Sequence, residues 1–348
     1  MDQRGQFVAG LIDASRRALA AGAAARLADE GGGVAVQDWG FQRLVSDLQA
    51  RLHALAEALA SGRPELLELD LSWLAAGLCG RGLELDTPRA ALNVLVDELR
   101  EGLPDGAGDL AADCLAQGLP ALRVVDCVEP VALDGSGPHD DLLRRFVLAL
   151  LEARREDAER LILDALDQGV SVAEIHGQVL TTTQRELGRM WVAGEVNVAE
   201  EHYASRVVEG ILTLLRHRAP SAPASGRTVL LASVEGNLHD LGGQIIADQL
   251  ELAGYRTVFL GSSVPTPDLV EALGHFGADV LGLSAGLGLH VRATAKLVKS
   301  ARAAHPDLPI LVGGGPFNLV PGLWRTVGAD GWAQDAPGAV DEVRRLLG

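Results

Sequence analysis

The residues best placed to do chemistry surround a single histidine. His239 falls in Glu235-Gly236-Asn237-Leu238-His239-Asp240-Leu241-Gly242-Gly243, between an apolar, β-branched run (228–234) and a helical pattern. That position puts an imidazole at the carboxyl end of a strand, and neutral imidazole is a good ligand for transition metals. Asn237, two residues earlier, can accept an Nδ1–H bond from the ring, and Asp240 shares the loop. Ser284 ends a later apolar run with 41 residues between it and Gly242, and 28 more separate it from Gly313 and Gly314. A serine there can hydrogen-bond a buried heterocycle, and glycines let a bulky ligand reach the backbone. With this composition, a chance match of these residues at these spacings is on the order of 10⁻³. Each alone would read as a helix cap or loop punctuation.

A second constellation lies upstream. Leu187-Gly188-Arg189-Met190-Trp191 closes a helical pattern, and after nine intervening residues Glu201-His202 opens the next. An indole can wall an apolar ligand, and an acid is favoured in a first helical turn by the helix dipole. Taken singly, a core tryptophan and a solvated helix start are the ordinary fates of such residues.

The elements that must position these groups follow from periodicity. Glu129 to Pro138 and Ala219 to Gly226 are rich in proline, glycine and serine and read as flexible linkers. They divide the chain into residues 1–128, 139–218 and 227–348. The first part is helical throughout: Leu44, Leu48, Leu52, Leu55 and Leu59 recur at helical spacing, and Thr87-Pro88 reads as the cap and first turn of another helix. The second reads as a four-helix bundle, with Leu142, Leu143, Phe146, Val147, Leu150 and Leu151 on one face, Leu161, Ile162, Ala165 and Leu166 on the next, and a Ser171–Glu174 capping box. In the third, Thr228 to Val234, Thr257 to Leu260, Val280 to Ser284 and Ile310 to Val312 alternate with helical patterns, which predicts a doubly wound α/β sheet. In such sheets ligands bind beyond the carboxyl ends of the strands, where strand order reverses.

Composition sets bounds. The 348 residues, 48% of them hydrophobic, suffice for several cores, and 47 acidic against 30 basic residues give a formal charge of −17, which disfavours a nucleic-acid partner. Three cysteines (Cys79, Cys114, Cys127) without a C-x-x-C pair fit a reducing compartment, and no run of 18 apolar residues suggests a membrane span. A cytoplasmic protein without membrane contact is the expectation.

The histidine, serine and glycine pattern resembles the cobalamin-binding fold. The resemblance implies that His239 ligates cobalt from below while the displaced nucleotide tail enters a slot beside the sheet, near Gly242, Ser284, Gly313 and Gly314. Two positions depart from the family pattern. Asn237 stands where an acidic residue is usual, which implies a less basic imidazole, and Gly286 stands where a larger apolar residue is usual.

The W-x9-E-H spacing resembles the CarH-type photoreceptors, in which a bundle covers the upper face of adenosylcobalamin. That implies Trp191 packs on the adenosyl group, with Glu201 and His202 over the corrin. Val192 occupies the position of the family's light-state histidine ligand, so His202, water or hydroxide would replace it. The basic DNA-binding domain of that family has no counterpart in residues 1–128. That region resembles, through no comparably strict motif, the helical part of photocobilins, which implies a bilin such as biliverdin near Trp39, Phe41, Trp73, Arg43, Arg51, Arg81 and Arg89. A plain sensory or dimerisation bundle is the alternative; His53 reads as a surface residue and the cysteines as small buried ones.

The resulting expectation is a non-enzymatic light sensor. Cleavage of the cobalt–carbon bond would shift the bundle against the independently folded sheet domain, changing a homo-oligomer (dimer or tetramer) or an effector partner. Corrinoid carriers for a methyltransferase or mutase share the lower site and form the alternative, with storage or delivery of cobalamin as a third reading.

Overall fold

The computed structural model describes residues 3–29, 39–104, 106–123 and 137–348. Cys127 and residues 129–136 of the first expected linker lie outside these. Two compact units are present: Met1–Cys127 with Leu287–Arg292 and Val320–Val327, and Val128–Gly286 with Ala293–Leu319 and Gly328–Gly348.

The first unit is built from helices α1 (Gln3–Leu27), α2 (Phe41–Ser61), α3 (Glu65–Gly80), α4 (Asp86–Gly102) and α5 (Ala107–Gly118). The five leucines at helical spacing on α2 are all buried. From Ala54 to Ser61 every residue of α2 is buried, because alanines between the leucines leave room for neighbours on all sides. Helix α4 starts one residue before Thr87, with Leu85 at the cap position and no side-chain cap bond. Thr87 is therefore not the cap; the acidic Asp86 complements the dipole of the first turn instead.

In the second unit, α6 (Asp140–Leu151) and α7 (Arg155–Asp167) are followed by a single turn, Val172–Glu174, opened by the expected Ser171–Glu174 capping box. A π-helical stretch, Ile175–Leu180, then runs into α8 (Thr181–Ala193), and α9 (Val198–Arg218) completes the group. Leu143, Phe146, Val147, Leu150, Ile162, Leu187, Val208 and Ile211 share one core.

The sheet follows, with strands β1 (Thr228–Ser233), β2 (Arg256–Phe259), β3 (Val280–Ser284), β4 (Ile310–Gly313) and β5 (Gly331–Ala333). Its helices include α10 (Leu241–Leu252), α11 (Thr266–Phe276), α12 (Val291–Ala304) and α13 (Ala336–Leu347). All pairings are parallel, in the order β2-β1-β3-β4-β5, so strand order reverses between β1 and β3. All six residues of β1 are buried, as a strand covered on both faces requires. Strand boundaries differ from the expected ones by a residue at several ends, and β5, too short to carry a pattern, was not anticipated.

Two expectations about the second unit are corrected. The stretch Ala219 to Gly226 is tied down: the Ala222 N–H donates to the Leu252 carbonyl and the Ser225 N–H to the Gly254 carbonyl, both at 2.8 Å. The bundle is also not independent of the sheet domain, because Ile245 of α10 and Ala336 of α13 belong to its core. Gln249 of α10 and the buried His176 Nδ1 are hydrogen-bonded at 2.9 Å, and Arg216 of α9 pairs with Asp248 and Glu251. Among the described residues no helix is long and apolar enough to cross a membrane.

Candidate functional site

The site is organised by the ends of β1 and β3, which flank the reversal of strand order. Ser233, Ser284, Gly313 and Ala333 form one row across the sheet at its carboxyl edge. Beyond β1 the chain turns through Gly236, whose φ of 86° favours glycine, and reaches the fully buried Asn237. The Asn237 side chain donates to the carbonyls of Ser284 (3.1 Å) and His239 (3.3 Å), and its Oδ1 accepts the His239 main-chain N–H at 3.2 Å. Asn237 therefore holds the backbone of the loop, and the expected bond to the His239 ring is not the one made: the amide is used up by main-chain partners. Ser263 completes the frame, its hydroxyl accepting the Gly236 N–H and its own N–H donating to the Asn237 carbonyl.

His239 is exposed and follows this braced loop. Gly286 lies beside it: a Cβ there would be 2.9 Å from Asn237 Oδ1 and 3.2 Å from His239 Cδ2. The two departures from the family pattern, Asn237 and Gly286, are thus neighbours in space. Asp240 occupies the cap position of α10 without a side-chain cap bond, and an added Cβ on Gly242 meets open space.

Beside the sheet is a narrow apolar slot with a cavity volume of about 40 Å³, lined in part by Gly243, Phe259, Gly282, Ser284, Gly313 and Ala333. Ser284 supplies the only side-chain hydroxyl of the lining. A Cβ on Gly243 would meet Phe259 at 2.9 Å, and one on Gly314, whose φ is 105°, would collide with the Ala285 carbonyl. An apolar slot with one hydroxyl, and an exposed imidazole on a braced loop, fit a corrinoid with its tail extended. A single imidazole suits a metal whose other ligands come from a macrocycle.

On the bundle, Trp191 is 42% exposed at the end of α8, whereas Val192 is buried. Gly194 closes that helix in the left-handed conformation, and Arg189 bridges the buried Glu186 and the exposed Glu195, bracing the turn. Asn197 and Glu200 form a capping box for α9. Glu201 Oε2 and His202 Nδ1 are 2.7 Å apart, and the Ser205 hydroxyl donates to Glu201 Oε1. The sequence-derived residues therefore fall into two sets, one at the sheet edge and one on the bundle. Asn237 as the brace, Phe259 as a slot wall and Arg189 as a clamp were not anticipated, because each acts through a contact that spacing does not encode.

In the first unit several of the residues expected near a ligand have partners within the chain or are exposed. Phe41 is 40% and Trp73 53% exposed. Arg43 stacks over Trp39 with 5.0 Å to the ring centroid, Arg51 pairs with Asp70, and Arg89 donates to the Leu122 carbonyl. Burial, partly offset by Arg51, pushes the Asp70 carboxyl up to about 6.

Comparison with known proteins agrees with this architecture. Residues 227–341 match the B12 binding domain family and residues 142–216 match a second B12 binding domain family. Both matches lie in the carboxyl-terminal three-fifths of the chain and support a cobalamin-binding protein. It is 26% identical over 214 residues to a corrinoid protein of Desulfitobacterium hafniense, covering 60% of this chain and 98% of that one. It is 29% identical over 178 residues to the HTH-type transcriptional repressor CarH of Myxococcus xanthus, covering 51% of this chain and 59% of the repressor. The solved monomethylamine corrinoid protein of Methanosarcina barkeri shares the fold, with a TM-score of 0.54 and 20% identity over 60% of this chain and 99% of that one.

Proposed function

We propose that the protein is a non-enzymatic light sensor that holds adenosylcobalamin under a helical cap formed by α6–α9. The observation that carries this reading is Trp191, a large indole left 42% exposed on a braced helix end, followed on α9 by the Glu201–His202 pair. When bound, the group supplies a cobalt ion open to an imidazole ligand and a light-cleavable cobalt–carbon bond. In this reading His239 offers the lower ligand, held in place through the Asn237 brace. Ser284 hydrogen-bonds the tail in the apolar slot, Gly313 and Gly314 admit it, and Gly242 and Asp240 border the entry. Trp191 would cover the adenosyl group, and Glu201 with His202 would face the corrin. The output is a change in homo-oligomeric state or in an effector protein. A bilin in the first unit rests on resemblance alone, since Arg51 and Arg89 are engaged by the chain's own acceptors.

A corrinoid carrier is the second reading, favoured by relatives that match 98% of their own length. A carrier has no need of an indole wall, since a methyl group is small. Binding isotherms for adenosyl- and methylcobalamin separate the two. Trp191→Ala is expected to weaken adenosylcobalamin by about tenfold more than methylcobalamin, because an indole buries roughly 150–250 Å². Equal losses for both would favour the carrier.

A further inference from the structure

The first unit contains a carboxylate that serves a distant helix. Glu57, 2% exposed on the fully buried half of α2, accepts the Arg292 main-chain N–H at 2.9 Å and the Arg292 Nε–H at 2.7 Å. Arg292 Nη1 donates to Asp13 of α1 at 2.6 Å, and His53 Nε2 lies 3.6 Å from Glu57. Thus the first turn of α12 is satisfied by a side chain 235 positions earlier. A buried carboxylate is tolerated only when such charge-assisted bonds are complete, so the pairing fixes the backbone at Arg292 tightly.

The Leu287–Arg292 segment is a stiff turn: the His290 N–H donates to the Leu287 carbonyl at 3.0 Å, and the Leu287 N–H to His290 Nδ1 at 3.2 Å. Leu287 directly follows Gly286, whose backbone abuts Asn237 and His239, and Ser284 stands two residues before Gly286. Five peptide bonds of ordered chain therefore join Leu287, next to the cofactor loop, to a residue anchored by α1 and α2. Within the first unit this segment carries its own hydrogen bonds next to the anchored residue.

We propose that the Glu57–Arg292–Asp13 pairing is the coupling element through which the state of the His239–Gly286 loop reaches α1 and α2. The inference rests on the cobalamin reading above and adds the route of the output. By linkage, the coupling acts in both directions: what loosens the anchor also weakens the loop's hold on its ligand.

The test uses the full chain titrated with adenosylcobalamin in the dark, as wild type, Glu57→Gln and Asp13→Asn. Affinity is read by absorption, amide exchange of α2 by mass spectrometry and folding by circular dichroism. In the wild type, cobalamin is expected to slow exchange in α2 about fivefold or more; both variants bind about fivefold or more weakly and lose that response. If Glu57→Gln fails to fold, Asp13→Asn, at a half-exposed position, decides the matter. Folded variants that match the wild type in affinity and in the α2 response overturn the inference alone, as does a wild type that binds without that response. A wild type that takes up no cobalamin overturns the functional reading and the inference with it.

Discussion

The Asn237 side-chain amide donates to the main-chain carbonyl of Ser284 at 3.1 Å, tying the loop after β1 to the end of β3 across the point where strand order reverses. The same NH2 group donates to the His239 carbonyl. An aspartate has no proton to offer either carbonyl at neutral pH. Asn237→Asp, though it restores the residue type usual in the family pattern, is therefore expected to cost about 1–3 kcal/mol of stability. Urea unfolding of the two proteins checks this; equal midpoints and slopes would mean that the loop rearranges freely.

His239 is exposed on a loop that Asn237 and Ser263 hold without help from the imidazole. His239→Ala should therefore leave the unfolding midpoint within about 0.5 kcal/mol of wild type, as for an ordinary surface change. The absorption spectrum of bound cobalamin is expected to lose the signature of imidazole coordination. An unchanged spectrum and affinity would remove His239 from the lower ligand position.

A pH effect is expected at the contact between bundle and α10. Burial pushes the His176 imidazole down to about 4, from an ordinary 6.5. The group is neutral in the fold, so its contribution is present above pH 6.5 and is lost as pH falls through that window towards 4. Its size is on the order of 3 kcal/mol. His176→Gln keeps a polar partner for Gln249 and removes the titration. The stability difference between wild type and variant should thus change by about that amount between pH 7 and pH 4. Parallel pH profiles would show that His176 is protonated without consequence.

The placement of the candidate residues at the sheet edge was legible because it depends on spacing. His239, Ser284 and Gly313 are set by strand and helix lengths, and Ser284 and Gly313 are paired in the sheet. The role of Asn237 was not legible: its type suggested a bond to the histidine ring, whereas its partners are main-chain carbonyls brought near by folding. Glu57 reads in sequence as one charge on an amphipathic helix, and nothing local announces a partner 235 residues away. The Ala219–Gly226 stretch has a flexible composition, yet its N–H groups find the carbonyls at the end of α10. β5 is too short to show a period, and its middle residue is the half-buried Trp332.

In the proposed function, light acts on the cofactor and the protein answers by changing its assembly. Size-exclusion chromatography with light scattering on the adenosylcobalamin-loaded full chain, before and after green light, measures this directly, with absorption spectra confirming complete photolysis. A shift of roughly 5- to 150-fold in an association equilibrium is expected, the range of a typical coupling of about 1–3 kcal/mol. Identical masses and hydrodynamic radii in dark and light, with photolysis complete, would rule out light-driven assembly and favour the corrinoid carrier.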